Sequence, residues 1–222
     1  MSTTVSKPVS DFEQVPEGTF IARCYGLVFL GTQEVQYKGE TKEKEQVVIQ
    51  WELLDDEGKT KDGKPFTISK TYTRTLDERG NLYSDLNAWR GKRFTADELL
   101  EFDMVAILGA YAQLQVLHSE NEQTGKTYAN VTALMPYKGE KPAAVNDNIL
   151  FDIDEVDAKT FNALSDYLKR KVQAAPEFTA PKGAVLAEAK TTPPAVSAPK
   201  SDDVVIQDLD ANAPINLDDI PF

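Results

Sequence analysis

Apolar and polar positions alternate with period two over most of the N-terminal two thirds of the chain, interrupted by a few stretches of helical period. The run Thr19 to Leu30, TFIARCYGLVFL, is rich in β-branched and aromatic residues and predicts a long first strand, entered by the turn Val15-Pro16-Glu17-Gly18 and ended by Gly31. A second strand is expected at Glu45 to Leu54, where Val47, Ile49, Trp51 and Leu53 share one apolar face, which favours a core role for Trp51 over base stacking. Polar Asp55 to Lys64 contains the turn formers Glu57-Gly58 and Asp62-Gly63 and reads as the loop of a hairpin. The return strand is expected at Pro65 to Thr75, with Phe66, Ile68, Lys70, Tyr72 and Arg74 on one side and Thr67, Ser69, Thr71 and Thr73 on the other.

Helical spacing follows. Leu82, Leu86 and Trp89 place a helix at Leu82 to Trp89, and Thr95-Ala96-Asp97-Glu98 is a capping-box pattern that opens a second short helix through Phe102. Two more strands, Val105 to His118 and Lys126 to Met135, flank the loop Ser119 to Gly125 and are expected to pair. Farther on, Phe161, Leu164, Tyr167, Leu168 and Val172 form a stripe that predicts a helix from Asp157 to Ala174, covering one end of the sheet structure.

Three strands, a helical interruption and two strands are the outline of an OB-fold, a five-stranded Greek-key barrel whose open face binds oligonucleotides. The expected class is thus mainly β: an OB-fold-like barrel with short helices between strands 3 and 4, a C-terminal helix and a disordered tail. The expected organisation is a flexible N-terminus at 1–14, the β-domain at 15–174, a Pro/Ala-rich linker at 175–200 and an acidic tail at 201–222. The linker assignment follows from Pro176, Pro181, Pro193, Pro194 and Pro199 among alanines, a composition that buries too little apolar area to offset chain entropy.

Composition changes this picture in one respect. The net charge of −12 argues by itself against a polyanionic partner. However, Asp202, Asp203, Asp208, Asp210, Asp218 and Asp219 supply half of that excess from a segment without Lys or Arg. Between Gly58 and Thr95 the balance reverses, with Lys59, Lys61, Lys64, Lys70, Arg74, Arg79, Arg90, Lys92 and Arg93 against Asp62, Asp77, Glu78 and Asp85. A single cysteine, Cys24, excludes an intramolecular disulfide, and a single histidine, His118, leaves too few soft ligands for a zinc cage. Met1 to Ser10 lacks the pattern of an export signal, and no apolar run is long enough to span a bilayer, so a soluble cytoplasmic protein is expected.

Proteins that hold single strands combine aromatic faces for stacking with cations that follow the phosphates. Tyr72, between Lys70 and Arg74 on one strand face, leads the candidates; its bland alternative is a ring that closes the barrel with its hydroxyl in water. Arg23 with Tyr25 on the first strand, and Lys126 with Tyr128 on the fifth, are further pairs. Trp89 is a further aromatic candidate, and the compact Arg90-Gly91-Lys92-Arg93 cluster beside it is read as a phosphate contact in preference to a solvated loop.

The terminal sequence Asn216-Leu217-Asp218-Asp219-Ile220-Pro221-Phe222 resembles the terminal peptide of bacterial single-stranded DNA-binding proteins. Its chemistry suits a docking peptide: Phe222 fills an apolar pocket, its carboxylate meets a cation, Asp218 and Asp219 steer toward a basic rim, and Pro221 limits the entropy lost by Ile220 and its neighbours. From about residue 12 to 140, the strings DGKPFTISKTYT, LNAWRGKRFTADELLEFD and TGKTYANVTALMP are similar to phage-type single-stranded DNA-binding proteins with an OB-fold. The resemblance implies a non-catalytic protein of phage DNA replication, recombination and repair in a bacterial cytoplasm. It would coat single-stranded DNA, use no cofactor, and recruit replication, recombination or repair proteins through its tail.

Other readings are weaker. Gly58 to Lys64 matches most of a phosphate-binding loop, but Pro65 stands where the magnesium-binding Ser or Thr belongs. Asp152 to Asp157 lacks the glycine and closing glutamate of a calcium loop and reads as a helix N-terminus. Asn130-Val131-Thr132 is a glycosylation sequon without an export signal, and a single histidine on a strand supports no catalytic triad. A protein-binding adaptor without DNA affinity is the chief rival, a metal-dependent nuclease a distant one, and self-association through an edge strand or the last helix stays open.

Overall fold

The first strand is longer than its apolar run. In the computed structural model, which describes residues 13–36, 39–121 and 125–187 and the backbone of Tyr37, β1 extends over Gly18–Tyr37. Gly31 does not end it. It adopts φ +68° at a register shift after Phe29, so it is a bulge that bends the strand, and a Cβ there would stand 2.8 Å from Ile153 Cδ1. The partner, β2 (Glu40–Leu53), starts five residues before the predicted strand, because backbone pairing carries the hairpin outward through polar Thr41 to Glu45.

With β3 (Thr67–Thr73), β4 (Tyr111–Asn121) and β5 (Lys126–Pro136), the sheet runs β3-β2-β1-β4-β5, each neighbouring pair antiparallel. A sixth strand, β6 (Ile149–Phe151), pairs parallel to Gly26–Val28 of β1. Its three residues are too short to show a period in the sequence. The protein is thus mainly β, a six-stranded sheet with a few short helices. β3 and β5, the outermost strands of the path, approach one another, and α1 (Asn81–Arg90) packs against both.

Inside that curve lies the main core. Trp51, Phe20, Leu27, Leu53 and Leu114 are fully buried there, and Leu82, Leu86 and Trp89 of α1 close it. Trp51 is the core residue its alternation predicts, and each such side chain contributes roughly 1.5–3 kcal/mol by leaving water. Gly91 ends α1 in the left-handed conformation, its N–H reaching the Ala88 carbonyl. The capping box of Thr95 and Glu98 is present, but α2 covers only Ala96–Leu100. The predicted strand start at Val105 is instead a 3-10 turn, Met104–Ile107, because the Asp103 carboxylate accepts from the Val105 N–H and starts a helical turn.

The predicted helix Asp157 to Ala174 is two helices, α3 (Ala158–Ala163) and α4 (Asp166–Ala174). Leu164 and Ser165 are extended between them, and the Ser165 hydroxyl accepts from Leu168 N–H as a new cap. The pair does not close an end of the sheet. It covers the outer face of β1 and β2, where Val28, Leu30 and Val48 meet Phe151, Phe161, Leu168 and Val172 in a second core. Ala175 and Phe178 join that core, Phe178 stacking on Phe161 at 5.3 Å, so the residues after 174 do not begin an unpacked linker. The expected tail at 201–222 lies outside the described residues. Among the described residues no helix is long and apolar enough to cross a membrane.

Cys24 sits in the main core, and burial pushes its thiol up to about 12. Its unfolded counterpart ionises near 9.0, so above that pH the unfolded chain loses its proton first and stability falls as pH rises toward 12. Native protein should leave Cys24 unreactive toward a thiol reagent while the denatured chain reacts at once. Rapid labelling of folded protein would contradict the burial.

Candidate nucleic-acid interface

The register of β3 decides the fate of the leading candidate. Tyr72, Lys70 and Ile68 stand opposite Val47, Ile49 and Trp51, so the face of β3 that carries them is the one that follows Trp51 into the core. Tyr72 is only 3% exposed. Its hydroxyl donates to Asp85 Oδ2 at 2.8 Å, and Lys70 Nζ lies 2.7 Å from the same oxygen. Burial, then the Asp85 charge, raises the Tyr72 hydroxyl well above its usual range. Arg74, at the strand end, stacks over Phe29 at 4.9 Å and pairs with Glu45 at 3.6 Å. Lys70, Tyr72 and Arg74 therefore form no groove, and the surface of β3 is the threonine and serine side.

Other candidates are also committed to the protein itself. Arg23 is buried against Glu52, with Nη1 and Oε1 at 2.8 Å. Tyr25 is buried where the β1–β2 register shifts, and desolvation raises its hydroxyl pKa. Trp89 lies in the core and donates its indole N–H to the Tyr111 carbonyl at 2.8 Å. Arg90 pairs with Glu98 and stacks on Phe94 at 4.1 Å, which makes it a tie between α1 and α2. Hydrogen bonds from Thr95 and Arg90 hold the Glu98 carboxyl down at about 2. Lys92 and Arg93 remain exposed, Lys92 near Glu98 at 3.4 Å. Lys126 is exposed at the start of β5, and Tyr128 is half-buried across from Ser119.

The outward face of the sheet has a different character. Alternation with the core residues puts Thr19 and Ile21 of β1, Gln113, Gln115 and Leu117 of β4, and Tyr128, Asn130, Ala133 and Met135 of β5 on that face. None of these is charged, in a chain with 27% charged residues; the same alternation adds two cations at opposite ends of the face, Arg23, which is spent on Glu52, and Lys126. Thr132 bulges outward beside them, its hydroxyl 3.2 Å from the Gln115 carbonyl.

One end of this neutral face carries an aromatic and cationic cluster. Tyr111 sits opposite Arg23 on β4, its ring 6.5 Å from that of Tyr137, and Lys141 Nζ lies 5.6 Å from its centroid. Lys138 and Lys141 are exposed, as is Glu140, whose carbonyl accepts from the Tyr137 hydroxyl. Gly91 abuts Pro136, where a Cβ would stand 3.3 Å from Cγ, so the Lys92-Arg93 loop adjoins the end of β5 that leads into Tyr137. Lys126 marks the far end of β5. The sequence reading missed Tyr111, Tyr137, Lys138 and Lys141; the run Pro136-Tyr-Lys-Gly-Glu-Lys141 was the signal, a ring with two cations just past a strand.

The cluster is held by a segment without regular structure, 142–148. The Tyr111 hydroxyl donates to the Pro142 carbonyl at 2.6 Å, and the Glu52 carboxylate accepts from the Asn146 N–H and Nδ2, each at 2.8 Å. Among the described residues no group of three His, Cys, Asp or Glu side chains could hold a metal ion. No protein-family model matches the chain, and no curated protein matches it.

Tyr72→Phe tests the inward assignment. Removing the hydroxyl leaves Asp85 short of a buried donor and should cost about 1–2 kcal/mol of stability in a urea titration. A change below about 0.5 kcal/mol, the usual effect at a surface site, would place the ring outside.

Proposed function

We propose that this chain is a non-catalytic single-stranded DNA-binding protein that lays the strand across the outward face of β1, β4 and β5. The observation that carries the reading is an outward face poor in charge and bordered by Tyr111, Tyr137, Lys138 and Lys141. Phosphates are repelled by carboxylates, so an acidic protein that holds DNA needs a surface cleared of them. None of the residues named on this face is acidic, and the Glu17 and Asp55 carboxylates at its margin are engaged by the His118 and Ile21 N–H groups. Its amide and hydroxyl groups suit base edges, its rings suit base faces, and its bordering lysines suit the phosphates. Unpaired bases expose both their edges and their faces, which a duplex hides, so the chemistry favours single strands.

The strand order and the approach of β3 to β5 support an OB-fold-like barrel, and the similarity to phage-type single-stranded DNA-binding proteins points the same way. On this reading the protein coats DNA during phage replication, recombination or repair in a bacterial host. The acidic end with Ile220-Pro221-Phe222 recruits partner proteins and competes with DNA for the cations. A second reading, an adaptor whose neutral face binds protein, is favoured by one observation: Leu117 and Met135 on that face are 43% and 38% exposed.

Anisotropy titration of a labelled oligo-dT should show tight, salt-dependent binding. Lys138→Ala with Lys141→Ala should make the plot of log affinity against log salt shallower by about 1.4, roughly 0.7 per phosphate contact. Tyr137→Ala should weaken binding about tenfold, within the range of one lost stacking partner. Binding that is absent, or indifferent to both changes, would sink the proposal in favour of the adaptor. Deleting residues 201–222 should tighten DNA binding; unchanged affinity would remove the competition.

A further inference from the structure

We infer that Glu52 is a positioning residue for the polymer-binding end of the sheet: its buried carboxylate ties down residues 142–148 and so fixes Lys141 over Tyr111. The inference rests on the strand-binding reading above and names what holds that site in shape.

Glu52 is 0% exposed, on the outer side of β2. A carboxylate in such a place is costly unless every lone pair has a donor. Arg23 Nη1 supplies one at 2.8 Å, and the others come from a single stretch of chain: Asn146 N–H and Nδ2 at 2.8 Å each, and Val145 N–H at 3.4 Å. Arg23 completes the circuit by donating to the Asn146 carbonyl at 3.1 Å and to the Asn148 side chain. A cross-strand ion pair would already be satisfied in part by Arg23 and Glu52 alone, which are register partners. Here the pair is extended by donors more than ninety residues away in sequence.

The stretch has little else to hold it. It has no regular secondary structure, and its one large apolar side chain, Val145, is 62% exposed. Its fixed points are the Glu52–Arg23 network, the Tyr111 hydroxyl on the Pro142 carbonyl, and the start of β6. Lys141 immediately precedes Pro142. A polar anchor therefore does for this segment what a hydrophobic anchor does elsewhere, and the cation over the Tyr111 ring inherits its position from Glu52.

Glu52→Gln keeps the shape and removes the charge, setting amide hydrogens against the Asn146 donors. Asn146→Ala removes a donor without stranding a buried charge, and it serves where the first variant does not fold. In either variant, hydrogen exchange at the Val145 and Asn146 amides should rise about tenfold or more, as for a local opening. Oligo-dT affinity should fall about fivefold and the salt slope become shallower by about 0.7, one phosphate contact. Combined with Lys141→Ala, neither variant should lower the slope further, because both routes remove the same contact. Variants that lose stability yet keep the original exchange, affinity and slope would overturn the inference, as would full additivity with Lys141→Ala. If the unaltered chain fails to bind DNA, the functional reading falls, and exchange at Asn146 still decides whether Glu52 holds the segment.

Discussion

β1 is enclosed on both faces, and the rest of the molecule is arranged around that fact. From Ala22 to Leu30 every side chain is buried: Ala22, Cys24, Leu27 and Phe29 into the main core, Val28 and Leu30 into the second. A strand with two apolar faces cannot sit at the surface of an open sheet without a second cover. β6, α3 and α4 supply it over one half of the outer face, and the Glu52–Arg23 network with residues 142–148 covers the next part. The stretch toward Gly18, with its neighbours on β4 and β5, is left open, as are the threonine and serine side of β3 and the outer end of the β1–β2 hairpin. The location of the candidate site thus follows from which part of the outer sheet the C-terminal half does not occupy.

Most strands were legible because period-two alternation survives in a sheet with a core on one side. The faces of β3 were grouped correctly, yet their sense was inverted. Lys70 and Tyr72 look like surface residues in isolation, and what turns them inward is register with Val47 and Ile49 together with Asp85 from α1, neither of which is local in sequence. β1 was cut short for a related reason. Gly31 is a strand breaker by composition, but in a bulge its positive φ lets the strand bend and continue. The outer face was illegible because its defining property is a scarcity of charge spread over three strands, which no single window of sequence displays.

Cations in this protein divide into two populations. Arg23, Lys70 and Arg90 are spent internally, each on a carboxylate that sits in or beside a core: Glu52, Asp85 and Glu98. They were attractive as ligand contacts because they are flanked by aromatic residues, and that same neighbourhood is why they are used for packing. Others stay in water, such as Lys92, Lys138 and Lys141 in loops. Clustering of basic residues along the chain is thus a poor guide to where positive charge is available. The carboxylates brought beside them by the fold matter more.

The only two tryptophans, Trp51 and Trp89, lie with ring centroids 6.0 Å apart, and the Trp89 indole is bonded to the carbonyl of Tyr111. All indole emission from this protein therefore originates at one spot, just beneath the ring at the edge of the neutral face. The molecule carries an intrinsic optical probe at its candidate site, shielded from quenchers in solution and sensitive to displacement of the backbone above it.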